Sequence, residues 1–108
     1  MAKTELLSGT LDLLVLRVLN GGPLHGFAIA ERIHVLSKEV LTVEEGSLYP
    51  SLYRMEGKGW IKPEWGQSEK GRRAKFYALT KDGRKQLVAE QKTWDRVALA
   101  IGDVLRGS

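Results

Sequence analysis

The stretch Gly46-Ser47-Leu48-Tyr49-Pro50-Ser51-Leu52-Tyr53-Arg54-Met55-Glu56 decides how the rest of the chain is read. Pro50 is its marker. Proline lacks an N–H and is tolerated where that donor would be unpaired, in the first turn of a helix. A helix is therefore expected to begin near Gly46 or Ser47. Leu48, Leu52 and Met55 then recur at i, i+4 and i+7 and face a core. Ser47, Ser51 and Arg54 are expected to face outward, with Tyr49, Pro50 and Tyr53 on the flanks. Gly57 and Gly59 end the helix.

Two helices precede it. The first is expected from about Thr10 to Asn20, with Leu11, Leu14, Val15 and Val18 on one face and Leu13, Leu16 and Leu19 on others. A helix that is apolar nearly all round must be buried nearly all round. A chain of 108 residues cannot easily do that alone, so part of this helix is expected to pack on a second subunit. Gly21-Gly22-Pro23 breaks it. The second helix runs from about His25 to Leu36, with Ile29, Ile33 and Leu36 at helical spacing, and Leu41 and Val43 follow in an extended link.

Downstream, Trp60–Trp65 and Ala74–Leu79 read as two strands rich in aromatic and apolar residues around the polar loop 66–73, which makes a hairpin with a basic tip. Pro63 confines the first of these strands to an edge or a bulge. Thr80 is a natural N-cap, with Asp82 in the first turn of the helix that follows. That helix is expected to reach about Leu105 along an apolar stripe of Leu87, Trp94, Val97, Ala98, Ile101 and Leu105, interrupted by Glu90 and Gln91.

Composition narrows the function. The length suits one domain. The absence of cysteine excludes disulfides, thiolate zinc sites and a cysteine nucleophile, and fits a reducing, cytoplasmic compartment. The short apolar run Leu11–Leu16 is neither a membrane span nor a signal-peptide core. The formal net charge of +4 is unevenly spread. Between Arg54 and Lys85, ten basic residues face four acidic ones, a net +6; the remaining seven basic and nine acidic residues leave −2 elsewhere. A positive field focused on one segment points to a polyanion.

These elements spell a mainly α (α+β) fold: a winged helix-turn-helix with a two-stranded wing and a long C-terminal helix. Residues 1–80 would form the DNA-binding domain and 81–108 a dimerisation helix, together one compact unit. In such a fold the third helix enters the major groove and the wing reaches the flanking backbone. Gly46 and Ser47 would offer free N–H groups and the positive end of a helix to a phosphate. Tyr49 and Ser51 would donate hydroxyl hydrogen bonds, and Arg54 would reach a phosphate or a guanine edge. Lys70, Arg72 and Arg73 would supply electrostatic affinity. With Pro50 and Lys75 these residues make up the expected interface to double-stranded DNA. A winged helix that binds protein rather than DNA is the alternative.

The quoted stretch is similar to the signature of the PadR-like family of transcriptional regulators. So are Pro23-Leu24-His25-Gly26 before it and Arg72-Arg73-Ala74-Lys75-Phe76-Tyr77-Ala78-Leu79-Thr80 with Gly83 after it. The resemblance covers nearly the whole chain, and the joint spacing is its strength. It is closest to the short members whose only addition to the winged helix is one C-terminal helix. The resemblance implies a homodimeric repressor on a pseudo-palindromic promoter site, released by a small aromatic or cationic effector. It places Tyr49 and the start of its helix on DNA, Arg72 and Arg73 in the wing, and Trp94 against an effector pocket between subunits. Met55 departs from the usual Leu, and the chain lacks the longer helical domain of larger relatives.

Other candidates have plainer readings. His25, beside Gly26 at a helix start, is expected to be structural, and His34 a solvated side chain. Trp60 and Trp65 pack the base of the wing, and Tyr77 and Leu79 anchor the hairpin to the core. The dimer interface is expected from Leu11, Leu14, Trp94, Val97, Ile101 and Leu105. Tyr49 has its own plain reading, as an aromatic packed on the first helix. No nucleophile–base pair, phosphate loop or metal-spaced carboxylates point to an enzyme, a metal or a cofactor.

Overall fold

The computed structural model describes residues 8–107, so the outermost ends of the two expected domains, residues 1–7 and 108, lie outside the described residues. The elements are α1 (Ser8–Leu19), β1 (Leu24–His25), α2 (Gly26–Leu36), α3 (Glu45–Gly57), β2 (Ile61–Gln67), β3 (Arg73–Leu79) and α4 (Lys81–Arg106). This is a winged helix with a long C-terminal helix. The sheet has three strands rather than two: β1 joins β3 through Leu24 opposite Tyr77 and His25 opposite Phe76, giving the antiparallel order β1-β3-β2. β2 is an edge strand, which accommodates Pro63 opposite Tyr77.

α1 is the centre of the core. Leu11, Leu13, Val15, Leu16, Val18 and Leu19 are all buried, and α2, α3, α4 and β3 pack around the helix. The chain's own elements cover most of α1, so its apolar character does not by itself require a second subunit. Leu11, expected at a dimer interface, is 3% exposed and belongs to this core. Leu14 is partly buried against the same cluster. Leu36 departs in the other direction: it lies in the last turn of α2 and is exposed.

The turn between α2 and α3 has a built shape. Lys38 and Glu39 both adopt left-handed backbone, at φ 56° and 66°, where side chains other than glycine are strained. Hydrogen bonds hold them there. The Ser37 hydroxyl donates to the His34 carbonyl at 3.0 Å and accepts from the Leu41 amide at 3.0 Å. His34 Nδ1 donates to the Leu41 carbonyl at 2.8 Å. His34 is thus a fixed part of the turn and not the freely solvated side chain expected.

At the other end of the wing, Thr80 caps α4 by accepting from the Gly83 amide at 3.0 Å, while its own amide bonds the Trp60 carbonyl at 3.0 Å. Gly83 is compelled by packing: a Cβ there would run into that same Trp60 carbonyl oxygen. The root of α4 is therefore clamped to the base of the wing. Beyond Leu87, the helix buries no further residue completely.

Candidate nucleic-acid interface

α3 starts at Glu45, slightly before the expected point, so Pro50 lies inside the helix and not in its first turn. The missing donor at Pro50 leaves the Gly46 carbonyl without its helical partner. Gly46 is exposed, so water can satisfy that group. The Ser47 amide, expected to be free for a phosphate, closes the first turn on the Glu44 carbonyl at 3.0 Å. Gly46, Ser47, Tyr49, Pro50 and Tyr53 are nevertheless all on the surface, with Leu48, Leu52 and Met55 buried beneath.

Tyr49 leans on α2. A Cβ at Gly26 would sit 2.5 Å from the Tyr49 hydroxyl oxygen, so any other residue at the start of α2 would displace the ring from this position. Its neighbour is Gly26 at the start of α2, and nearly half of Tyr49 remains exposed. His25 is structural, as expected: its Nδ1 accepts from the Ala28 amide at 3.3 Å and its ring meets Phe76 edge-on at 5.2 Å. Phe27, which the sequence reading did not single out, stands exposed beside them at the start of α2.

Ser51 is corrected outright. It is 1% exposed, and its hydroxyl donates to the Asp12 carboxylate of α1 at 2.5 Å. It cannot meet a phosphate. The same carboxylate oxygen accepts from Arg54 Nη2 at 2.7 Å, so Arg54 is tethered through its guanidinium and only partly exposed. Asp12 was legible only as the one polar residue interrupting Leu11–Leu16.

On the wing, Lys70, Arg72 and Arg73 are exposed, and among the described residues no carboxylate pairs with them. The tip turns at Gly71, whose φ of 76° suits glycine, and closes through the Ser68 amide on the Arg72 carbonyl at 2.8 Å. Arg73 stacks over Trp65 at 4.6 Å, which stiffens the arm. Lys75 differs from its neighbours. It pairs with Glu56 at the end of α3 at 3.4 Å and lies over Tyr77, joining wing to helix. Burial raises the Tyr77 phenol above its ordinary value, against the opposing charge of Lys75.

A separate groove of about 330 Å³ opens between the start of α1 and α4, lined by Gly9, Thr10 and Leu13 on one side and Gln86, Glu90, Trp94 and Val97 on the other. Gln86 donates to Glu90 Oε1 at 3.0 Å, and Glu90 Oε2 is buried with no hydrogen-bond partner among the described residues.

Residues 15–89 match the family model described as the transcriptional regulator PadR-like family. The chain belongs to that family. A PadR-like transcriptional regulator from Bacillus cereus is 26% identical and superposes with a TM-score of 0.81, covering 97% of this chain and 100% of that one. A PadR family transcription regulator from Clostridium difficile is 29% identical, with a TM-score of 0.75, covering 88% of this PadR-like chain and 97% of the other. An uncharacterized 37.1 kDa protein in transposon TN4556 of Streptomyces fradiae is 41% identical over 87 residues, which is 81% of this chain and 24% of that protein. The matched span ends at Ala89, just before the exposed part of α4.

Proposed function

We propose that this transcriptional regulator is a cytoplasmic homodimeric repressor that binds a pseudo-palindromic promoter site and is released by a small aromatic or cationic molecule. The observation that carries the DNA reading is the pairing of an exposed α3 start with a wing tip whose Lys70, Arg72 and Arg73 are free of carboxylate partners among the described residues. The fold supplies the geometry: α3 lies in the major groove, its first residues against the bases and backbone, while the wing follows the flanking phosphates. Gly46, Ser47, Tyr49, Pro50 and the partly exposed Arg54 carry the helix contact. Ser51 takes no part, and Lys75 serves the wing–helix junction. Two copies would set their third helices about 34–36 Å apart, one turn of DNA, and occupancy would exclude polymerase.

The dimer is supported by α4. Trp94, Val97, Ile101 and Leu105 are exposed along one face, a contiguous apolar stripe of the kind that marks an interaction surface. The effector reading is supported by the groove beside Trp94, where an aromatic wall adjoins the unpartnered Glu90 oxygen, a combination suited to a planar cation. No helix of the described residues is long and apolar enough to cross a membrane.

A salt-titrated binding assay on the promoter upstream of the gene tests the DNA reading. Specific affinity on the order of 10⁻⁸–10⁻¹¹ M is expected, falling steeply with salt. Replacing Arg72 and Arg73 with Ala should weaken all sequences and reduce the log–log salt slope by up to about 2. Salt-insensitive binding, or none on any fragment, would favour a protein-interaction module instead. For the effector, quenching of Trp94 fluorescence by planar aromatic cations, with Trp60 and Trp65 replaced, is the expected result; no response to any such compound removes the proposal.

A further inference from the structure

Asp12 is an acidic side chain set inside a leucine-rich helix at the centre of the core, with only 10% of its side chain exposed. A carboxylate in that position must be paired, because an unpartnered buried charge is strongly unfavourable. Among the described residues its side-chain partners both come from α3. Ser51 and Arg54 sit three residues apart on α3, so they share a face, and both donate to the same Asp12 oxygen, at 2.5 and 2.7 Å. That face adjoins the surface on which α3 displays Gly46, Ser47 and Tyr49.

Arg54 is left in an unusual condition. Its guanidinium carries five donors in a rigid fork, among the described residues it makes one hydrogen bond, through Nη2, and 39% of its side chain is exposed. We propose that Asp12 is a positioning residue for DNA recognition: by pairing with Arg54 it converts a mobile phosphate-seeking cation into a neutralised, pre-oriented donor that reads a base edge. The inference rests on the DNA-binding reading of α3. Two physical consequences follow from the pairing. A cation already neutralised by a carboxylate releases little counterion when it meets DNA, so it adds little to the salt dependence. A fork already held in place loses less freedom on binding, and its donors discriminate between bases by geometry. Arg54 thus contributes to specificity, and Lys70, Arg72 and Arg73 to general affinity.

The test uses two probes: the duplex that the unmodified full chain selects from a randomised pool, and the pool itself. Asp12→Asn keeps an oxygen acceptor for Ser51 but removes the charge that holds Arg54. We expect tighter binding to the pool at low salt, a log–log salt slope steeper by about 1, and a selected-to-pool affinity ratio at least tenfold lower. A purely structural role would not steepen the slope. Adding Arg54→Ala to Asp12→Asn should return the slope to its original value. An unchanged slope and ratio in Asp12→Asn overturns the proposal.

Arg54→Ala alone gives a second reading, independent of whether Asp12→Asn folds. The expected result is an unchanged slope with a ratio at least tenfold lower. A slope reduced by about 1, with both probes weakened equally, makes Arg54 an ordinary phosphate contact and overturns the proposal. The two readings separate cleanly. If the unmodified chain binds with a slope that Arg72→Ala and Arg73→Ala reduce, the DNA reading stands whatever Asp12 does. If it binds neither probe, both fall.

Discussion

α1 and α4 both carry leucine and valine along one or more faces, and they meet opposite fates. α1 is enclosed by its own chain, with Val15 and Leu16 wholly buried. α4 is clamped only at its root, through Thr80, Gly83 and Leu87, and from there carries Trp94, Val97, Ile101 and Leu105 into solvent. The difference teaches that apolar content does not by itself call for a partner. What matters is whether other elements of the chain converge on the helix. Four do on α1, whereas α4 projects away from all but α1 and β3.

Truncating the centre of α1 should give the largest effect. Leu16→Ala is expected to cost about 3 kcal/mol in urea unfolding, since it opens a cavity that the surrounding elements cannot fill. A cost below about 1 kcal/mol would mean that α1 is not the centre of the core. Next comes the exposed stripe. Ile101→Asp should leave the urea midpoint of the isolated domain nearly unchanged, yet weaken self-association at least tenfold, about 1.4 kcal/mol, by sedimentation. An unaltered dimer would place its interface elsewhere.

The smallest effect sharpens the contrast within α4 itself. Leu99 is 67% exposed but falls on the side of the helix away from Trp94, Val97 and Ile101. Leu99→Ser is therefore expected to change stability by less than about 0.5 kcal/mol and to leave association intact. Dissociation of that variant would show that α4 uses more than one face.

Much of this was legible without coordinates. The order of helices and strands, the wing, the Thr80 cap and the buried Leu48, Leu52 and Met55 all follow from periodicity and turn residues, which are local signals. The residues misread were those whose partners lie far along the chain. Ser51 falls roughly 60° from Leu48 on a helical wheel, at the boundary between core and solvent. Asp12, 39 residues away, draws it inward. Leu11 was placed at an interface because its helix looked too apolar for a small chain. β1 is too short to show any alternation and exists only because β3 offers its edge. Lys38 and Glu39 show no left-handed preference of their own; Ser37 and His34 impose the turn.

The sequence by itself determined that this chain is a winged helix with a basic wing, because capping, proline placement and charge density act over a few residues and need no partner. Only the tertiary structure decided which polar groups of α3 face solvent and which apolar helix is complete. Those outcomes depend on desolvation. Whether a serine, an arginine or a leucine faces water is set by what packs against it, and for Ser51, Arg54 and Leu11 that neighbour comes from a distant part of the chain.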